Sequence, residues 1–289
     1  MAIPLPKSWK RSLKGRMKRW RLRYMRWRYG FGVAELESAL RALGLDDGAT
    51  VLVHVGWDRF EGFDGRPTDV IKVLESIVGE SGTVVMPTLP FVGSALEWVE
   101  RGQPFHIKRT PSRMGMVTEL FRRMPGVVRS LHPTHSVAAR GARARALCND
   151  HQRAQTPCGK HSPYMKLVQE GGKILFLGPT IESMTCFHAV EALLEASMPQ
   201  SPFTKEWYTL PCLDGDEQEH AVTTRLFDAT LSRQRRISMM IPALKREEAW
   251  HALRMGRVDM LLLDAVTVRK TLEGMAREGR FCYDGFSTP

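Results

Sequence analysis

No run of eighteen consecutive apolar residues occurs in the 289-residue chain, so the sequence offers no helix that would cross a bilayer. The N-terminus has cations but lacks the apolar stretch and small-residue cleavage site of a signal peptide. Cysteine is scarce and scattered at Cys148, Cys158, Cys186, Cys212 and Cys282, with no CxxC pair, so neither a disulfide framework nor a structural zinc site is expected. A reducing cytoplasm is the natural setting. GxGxxG and GxxxxGK[ST] are absent, which removes the nucleotide fingerprints. HxxxH and HExxH are absent as well. His132, His135, His151 and His161 have no ligand spacing, and no metal is expected.

Acid is missing from one segment altogether. Residues 7–28 hold eleven of the 42 Lys and Arg and no Asp or Glu, and the remaining cations balance the 31 acids, so the net charge of +11 resides in that segment. A balanced body argues against a broad nucleic-acid-binding face. Within the segment Trp9, Leu13, Met17, Trp20, Tyr24, Trp27 and Phe31 recur every three or four residues, which predicts one stripe along a basic helix. Aromatics on one side and cations on the rest fit a helix lying on an anionic membrane surface. Docking of the stripe on the body or on a second copy of the chain, as a homodimer, ranks second. A basic arm on RNA ranks third, and nucleic acid is not the expected partner. Gly15 weakens the helix in its middle.

From residue 33 the pattern alternates between helix and strand. Strands are expected at 50–55, 82–88, 135–141, 173–178 and within "VDMLLLDA", and helices at 33–44, 68–79, 114–124, in "ARALCNDH" and at 186–197. The segment "AVTTRLFDATLSRQRRISMMIPALKREEAWHALRMGRVDMLLLDAVTVRKTLEGMAREG" is expected to add further helices around that last strand. Such short alternation implies βαβ crossovers and an α/β fold with a mostly parallel central sheet and flanking helices. A basic amphipathic N-terminal helix at 1–32 followed by one domain at 33–289 is the expected organisation. Two irregular stretches, "TLPFVGSALEWVERGQPFHIKRTPSRMG" and "CNDHQRAQTPCGKHSPYM", are long, and ordered loops of that length are usually functional.

The segment "SMTCFHAVEALLEASMP" follows the apolar run "KILFLG" and opens a helix, with Thr185 as a candidate N-cap. His188 and Glu191 are three apart and share a helix face. The pair could hold a metal, act as an acid–base catalyst, or be a surface ion pair; on spacing alone the last is the commonest outcome. As a general base, His188 would gain from the free N–H groups of the first turn, which favour neutral imidazole, with Glu191 orienting the ring. "RSLHPTHSVAARG" sets His132, His135 and Ser136 around a strand start without a GxSxG elbow. "HVGWDRFEGFDG" leaves a strand into a Gly-containing loop, where backbone N–H groups can meet an anion. Cys158 and Cys186 read first as inert small residues.

Taken in order, "VHVG", "DVIKVLESIVGESGTVVMPT", "TPSRMGMVTELFRRMPGVVRSLHPTHSVAARGARA", "CGKHSPYMKL" and "ILFLG" with "TCFHAVE" form a run that resembles the aminoglycoside 3-N-acetyltransferase family. The likeness is detailed over roughly residues 50–200. It implies an α/β fold distinct from the GNAT fold, acetyl-CoA as co-substrate, no metal, and transfer of an acetyl group to the amine of an amino sugar. Carried over, the T-x-x-H-x-x-E element makes His188 the general base, Glu191 its partner and Thr185 a neighbour of the reacting groups. His54, Val55 and Gly56, with Arg113 and Met114, would approach coenzyme A, and Ser136 would lie near the thioester. Antibiotic-modifying members carry a hydroxyl residue where Gly56 stands, and Trp57 is a further departure. "TPSRMG" and "RSLHPTHSV" look closer to relatives from surface-polysaccharide pathways. The resemblance implies an N-acetyltransferase acting on a sugar precursor of surface polysaccharide, and the basic amphipathic N-terminus fits a cytoplasmic enzyme peripheral at the inner membrane face. The alternatives are an aminoglycoside-resistance enzyme and a non-catalytic membrane-associated homologue. Asp58, Glu61, Asp64, Glu97, Glu100 and Glu195 are candidate contacts for a polycationic acceptor, and Arg109, Lys160 and Lys166 for a nucleotide-linked one.

Overall fold

The run "TVLVHV" is apolar on both sides of the pleat, which suits a strand covered on both faces. The computed structural model places it at the centre of the sheet and describes residues 23–286 together with Met17, Trp20 and Arg21. In chain order the strands are β1 (Thr50–Val55), β2 (Thr83–Pro87), β3 (Phe105–His106), β4 (Val128–Arg129), β5 (Val137–Gly141), β6 (Lys173–Leu177), β7 (Tyr208–Leu213), β8 (Glu219–Thr224), β9 (His251–Met255) and β10 (Val258–Asp264). Seven of them form one sheet in the order β4-β5-β2-β1-β6-β10-β9. β1 runs parallel to β2 and β6, and the sheet continues on both sides through antiparallel pairs.

Alternation along the central strands separates two cores. Val51, Val53, Val55, Leu175 and Leu177 pack with Leu36, Leu40, Val70, Ile71, Leu74 and Ile77 from helices Val33–Ala42 and Pro67–Val78. Leu52, Ile174 and Phe176 pack on the opposite face with Leu167, Val190, Val268 and Leu272 from helices Pro163–Glu170, Phe187–Leu194 and Ala265–Arg277. Each fully buried aliphatic side chain contributes about 1.5–3 kcal/mol, so this two-sided burial dominates what holds the layers together. The Pro67 helix shows its local cause: proline in the first turn, the Asp69 carboxylate accepting from the Arg66 amide at 2.8 Å, and Gly79 closing the end at φ 65°.

A second sheet, β3-β7-β8, stands apart from the first. The "AVTT" that opens the segment expected to add helices lies in β8, where Val222 and Thr224 are buried and Ala221 and Thr223 are exposed, a period of two.

Near the N-terminus residues 23–29 are helical. Met25 is buried, and Phe31 leaves the stripe to enter the core beside Phe63, its ring 5.1 Å away. Trp9, Leu13 and Gly15, with seven of the eleven cations (Lys7, Lys10, Arg11, Lys14, Arg16, Lys18 and Arg19), lie outside the described residues. No helix among the described residues is long and apolar enough to cross a membrane.

Candidate active site

The three parallel strands deliver their loops to one edge of the sheet, where open α/β sheets place their ligands. His54 is the penultimate residue of β1 and stacks on Phe176 of β6, with centroids 4.9 Å apart. The Gly56 amide donates to Leu177 O at 3.0 Å, so β1 and β6 end together. A side chain on Gly56 would start 3.5 Å from the Pro179 ring, so the two loops leave in contact. The 112–115 turn joins them. The Arg113 amide donates to Leu89 O at 2.8 Å, the Met114 amide donates to Ser112 Oγ at 3.2 Å, and Gly115 at φ 113° lies against Val55 O. His54, Val55, Gly56, Arg113 and Met114 therefore lie together at this edge.

The loop after β6 leads into helix Phe187–Leu194. Its cap is Cys186, one residue later than expected, and the Thr185 hydroxyl instead stands 3.5 Å from His54 Nε2. The His188 amide donates to Thr185 O at 3.1 Å. His188 Nδ1 is 2.5 Å from Glu191 Oε2, and Glu191 is 3% exposed, which excludes the surface ion pair. With Nδ1 turned to the carboxylate, Nε2 is left without a hydrogen-bond partner among the described residues.

Three further residues complete the surroundings of this pair. Phe227 packs on the His188 ring at 4.4 Å, and His135 meets it edge-on at 6.4 Å. Arg235 Nε stands 3.4 Å from Glu191 Oε1, the oxygen that has no hydrogen-bond partner. The Arg235 guanidinium is packed between the rings of Phe227 and Tyr283. These groups come from parts of the chain without a local motif. Phe227 and Arg235 flank the short helix Ala229–Gln234, and "SRQRR" reads only as a charge run. The segment is held in place because the Glu182 carboxylate, in the loop before His188, accepts from the Ile237 and Ser238 amides at 2.9 Å each.

The electrostatics favour neutral imidazoles. Burial lowers the His188 pKa, the Arg235 charge lowers it further, and Glu191 offsets part of both. His54 is pushed down to about 3 by burial and then by His188. His135 is held well below the usual histidine range by burial, with His188 next.

Ser136 is placed differently from its expected role. It is fully buried, its hydroxyl donates to Thr88 O at 3.0 Å, and it accepts from Arg129 Nε at 3.2 Å. That hydroxyl helps tie β2 to β5 in a network with a buried guanidinium, and the neighbouring His135 is the residue that meets His188. His132 and His151 stack at 4.5 Å and are engaged internally, His151 Nε2 with Pro157 O and His132 Nδ1 with the His135 amide. Among the described residues no three His, Cys, Asp or Glu side chains gather as a metal would require. All five cysteines are buried and unpaired, and burial pushes the Cys158 thiol well above its ordinary range, with Cys186 and Glu191 adding to it. Several candidate acceptor contacts are already engaged. Glu61 pairs with Arg257 at 2.7 Å, Asp64 with Arg26, Glu195 with Arg225 at 2.9 Å, and Arg109 with Glu217 at 2.5 Å. Lys166 donates to the carbonyls of Ala146, Leu147 and Asn149.

A profile of the family described as aminoglycoside 3-N-acetyltransferase matches residues 52–275. Aminoglycoside N(3)-acetyltransferase VII of Streptomyces paromomycinus is 37% identical over 174 residues, covering 56% of this chain and 60% of that protein, so the match spans about three fifths of the relative's length. The crystal structure of aminoglycoside acetyltransferase AAC(3)-Xa superposes with a TM-score of 0.75 at 25% identity, covering 89% of this chain and 95% of that one. AAC-IIIb, solved as a binary complex with CoASH, shares the fold with a TM-score of 0.71 at 23% identity, over 90% of this chain and 99% of its own. Matched across most of its length by the profile, the chain belongs to the aminoglycoside 3-N-acetyltransferase family.

Proposed function

We propose that the chain is an acetyl-CoA-dependent N-acetyltransferase that acts on an amino-sugar amine by direct transfer, with His188 as general base. The observation that carries this reading is the buried Glu191 carboxylate on Nδ1 of a histidine kept neutral by burial. A sugar amine is mostly protonated at neutral pH and cannot attack until it loses a proton. One proton of the ammonium passes to solvent, and His188 Nε2 takes the second as the nitrogen attacks, a step that contributes about 10²–10⁴-fold. The amine nitrogen then bonds to the thioester carbonyl carbon, the carbon–sulfur bond breaks, and coenzyme A leaves as thiolate, which the proton on His188 can neutralise. Glu191 holds the ring and stabilises the imidazolium. Thr185 borders the reacting groups, and the rim of His54, Val55, Gly56, Arg113 and Met114 receives coenzyme A. The buried Cys158 thiol gives no support to a covalent relay.

For the acceptor we favour a sugar precursor of surface polysaccharide. Glu61, Asp64 and Glu195 are already paired with arginines, which leaves fewer acids to hold a polycation. The names of the relatives support the second reading, an aminoglycoside acceptor. Residues 7–28 would place the enzyme peripherally at the inner membrane face.

The test is thiol release from acetyl-CoA by purified protein, offered a panel of nucleotide-linked amino sugars and aminoglycosides. Turnover with one class identifies the acceptor, and its loss in His188→Ala with coenzyme A binding retained supports the base. Near-normal turnover in His188→Ala removes the mechanism. Absence of coenzyme A binding would favour a non-catalytic homologue.

A further inference from the structure

The N-terminal helix is seated on the catalytic edge of the sheet, and its aromatic face is turned away from the protein. Arg21 and Arg26 pair with Glu61 and Asp64 in the loop leaving β1, and Arg257 in the β9–β10 turn reaches the same Glu61. Gly62, at φ 103°, lets that loop press on the helix: a side chain there would start 2.6 Å from Tyr29 O and 3.1 Å from Met25 O. Gly256 in the β9–β10 turn approaches Tyr29 O equally closely. Met260 pairs with Leu177, so this turn lies at the carboxyl end of β6, the edge that carries His54 and His188. The opposite face holds Met17, Trp20, Tyr24 and Trp27, which are 70%, 72%, 55% and 77% exposed. Spaced 3, 4 and 3 apart they form one continuous stripe, and the Tyr24 and Trp27 rings lie 6.1 Å apart. Among the described residues, Met17, Trp20, Tyr24 and Trp27 are therefore not docked on the body, which holds the other side of the helix.

Large aromatics in a contiguous exposed row mark a contact surface. Their company decides which contact. The segment from 7 to 28 is basic without one acid, so a second copy of the same helix would be repelled, whereas a negatively charged surface complements it. Trp and Tyr are the side chains that settle at the water–lipid boundary, having an apolar body and a polar tip. We propose that Met17, Trp20, Tyr24 and Trp27 seat on an anionic lipid bilayer, turning the carboxyl edge of the sheet toward that surface. Taken with the acyl-transfer reading, on which this clause rests, the acceptor amine is one displayed at the membrane.

The test uses the full-length chain and the triple variant Trp20→Ser/Tyr24→Ser/Trp27→Ser, whose side chains are exposed enough that Tm stays unchanged. Both are sedimented with vesicles of phosphatidylglycerol and phosphatidylcholine, with phosphatidylcholine vesicles alone, and with a single-stranded RNA. The expected result is binding to phosphatidylglycerol vesicles by the full chain, a loss of at least about ten-fold in the triple variant, and little binding to phosphatidylcholine or RNA. A full chain that ignores phosphatidylglycerol vesicles, a triple variant that binds them as well, or a preference for RNA overturns the proposal. So does a chain that is dimeric by light scattering, becomes monomeric in the variant and leaves lipid alone. Vesicle binding is read without acetyl-CoA or acceptor, so it succeeds or fails independently of the acyl-transfer reading.

Discussion

Arg235 Nε lies 3.4 Å from Glu191 Oε1, and the other oxygen of that carboxylate holds His188. The histidine proposed as base, which must be neutral to act, is thus flanked by an anion on Nδ1 and by a cation that opposes its protonation. Arg235 contributes to the lowering of the His188 pKa and Glu191 opposes it, so removing the guanidinium raises that pKa. In Arg235→Gln the acid limb of kcat/KM moves to higher pH, the rate at neutral pH drops, and activity recovers on the alkaline side. Arg235→Lys keeps the charge and restores most of the profile. A pH profile that does not move in Arg235→Gln assigns the arginine to packing against Phe227 and Tyr283 alone.

Acid should destabilise the whole fold through its buried histidines. His54 and His151 are both held at about 3 by burial, against about 6.5 in an unfolded chain. Between those values the unfolded state binds more protons, so stability is full above the unfolded pKa and falls as pH drops toward the folded one. Each group then removes up to about 1.4 kcal/mol per pH unit. Thermal melts from pH 7.5 down to 5 should show a steady decline in Tm, shallower in His151→Gln once its own starting stability is subtracted.

Ser136→Ala separates structure from chemistry. Loss of the hydroxyl takes one partner from Arg129 and one from Thr88, a cost of about 1–2 kcal/mol that a denaturant titration would measure. Turnover by the folded fraction should stay within about two-fold, because the hydroxyl is committed inside the protein. A fall of about 10² would return Ser136 to the thioester.

Thiol chemistry should leave the protein untouched. All five cysteines are buried, and Cys148 is pushed up to about 12. Incubation of the native protein with N-ethylmaleimide should modify no cysteine by mass spectrometry, and Cys158→Ala should turn over normally. An acetylated Cys158 trapped with acetyl-CoA would refute direct transfer.

What could be read from the sequence, and what could not, follows from the range of the signals. His188 and Glu191 are three residues apart, so helical geometry alone brings them to one face, and the order of motifs supplied the rest. The rim formed by Val55, Gly56, Arg113 and Met114 was named from the resemblance, because nothing local relates residue 55 to residue 113. Arg235 and Phe227 had no signal, since their partner is defined only by the fold. The positions of β1, β2, β5, β6 and β10 were visible as apolar runs, but strand direction is not encoded in an apolar run. For that reason the parallel centre was anticipated while the antiparallel pairs flanking it on both sides and the separate β3-β7-β8 sheet were not. The stripe near the N-terminus had the right period, yet its last member Phe31 packs inward, because the chain turns at Gly30 and Gly32 and the periodicity stops there.

The seat beneath the N-terminal helix also governs how the protein can be shortened. Phe31, Phe60, Phe63 and Trp57 form one aromatic cluster, and the backbone carbonyls of Met25 and Tyr29 lie against Gly62, between Phe60 and Phe63 in the chain. A fragment starting inside the helix would uncover that cluster next to the loop leaving β1. Removing Trp20, Tyr24 and Trp27 by truncation therefore exchanges one exposed aromatic surface for another, whereas replacing them in place leaves the helix on its seat.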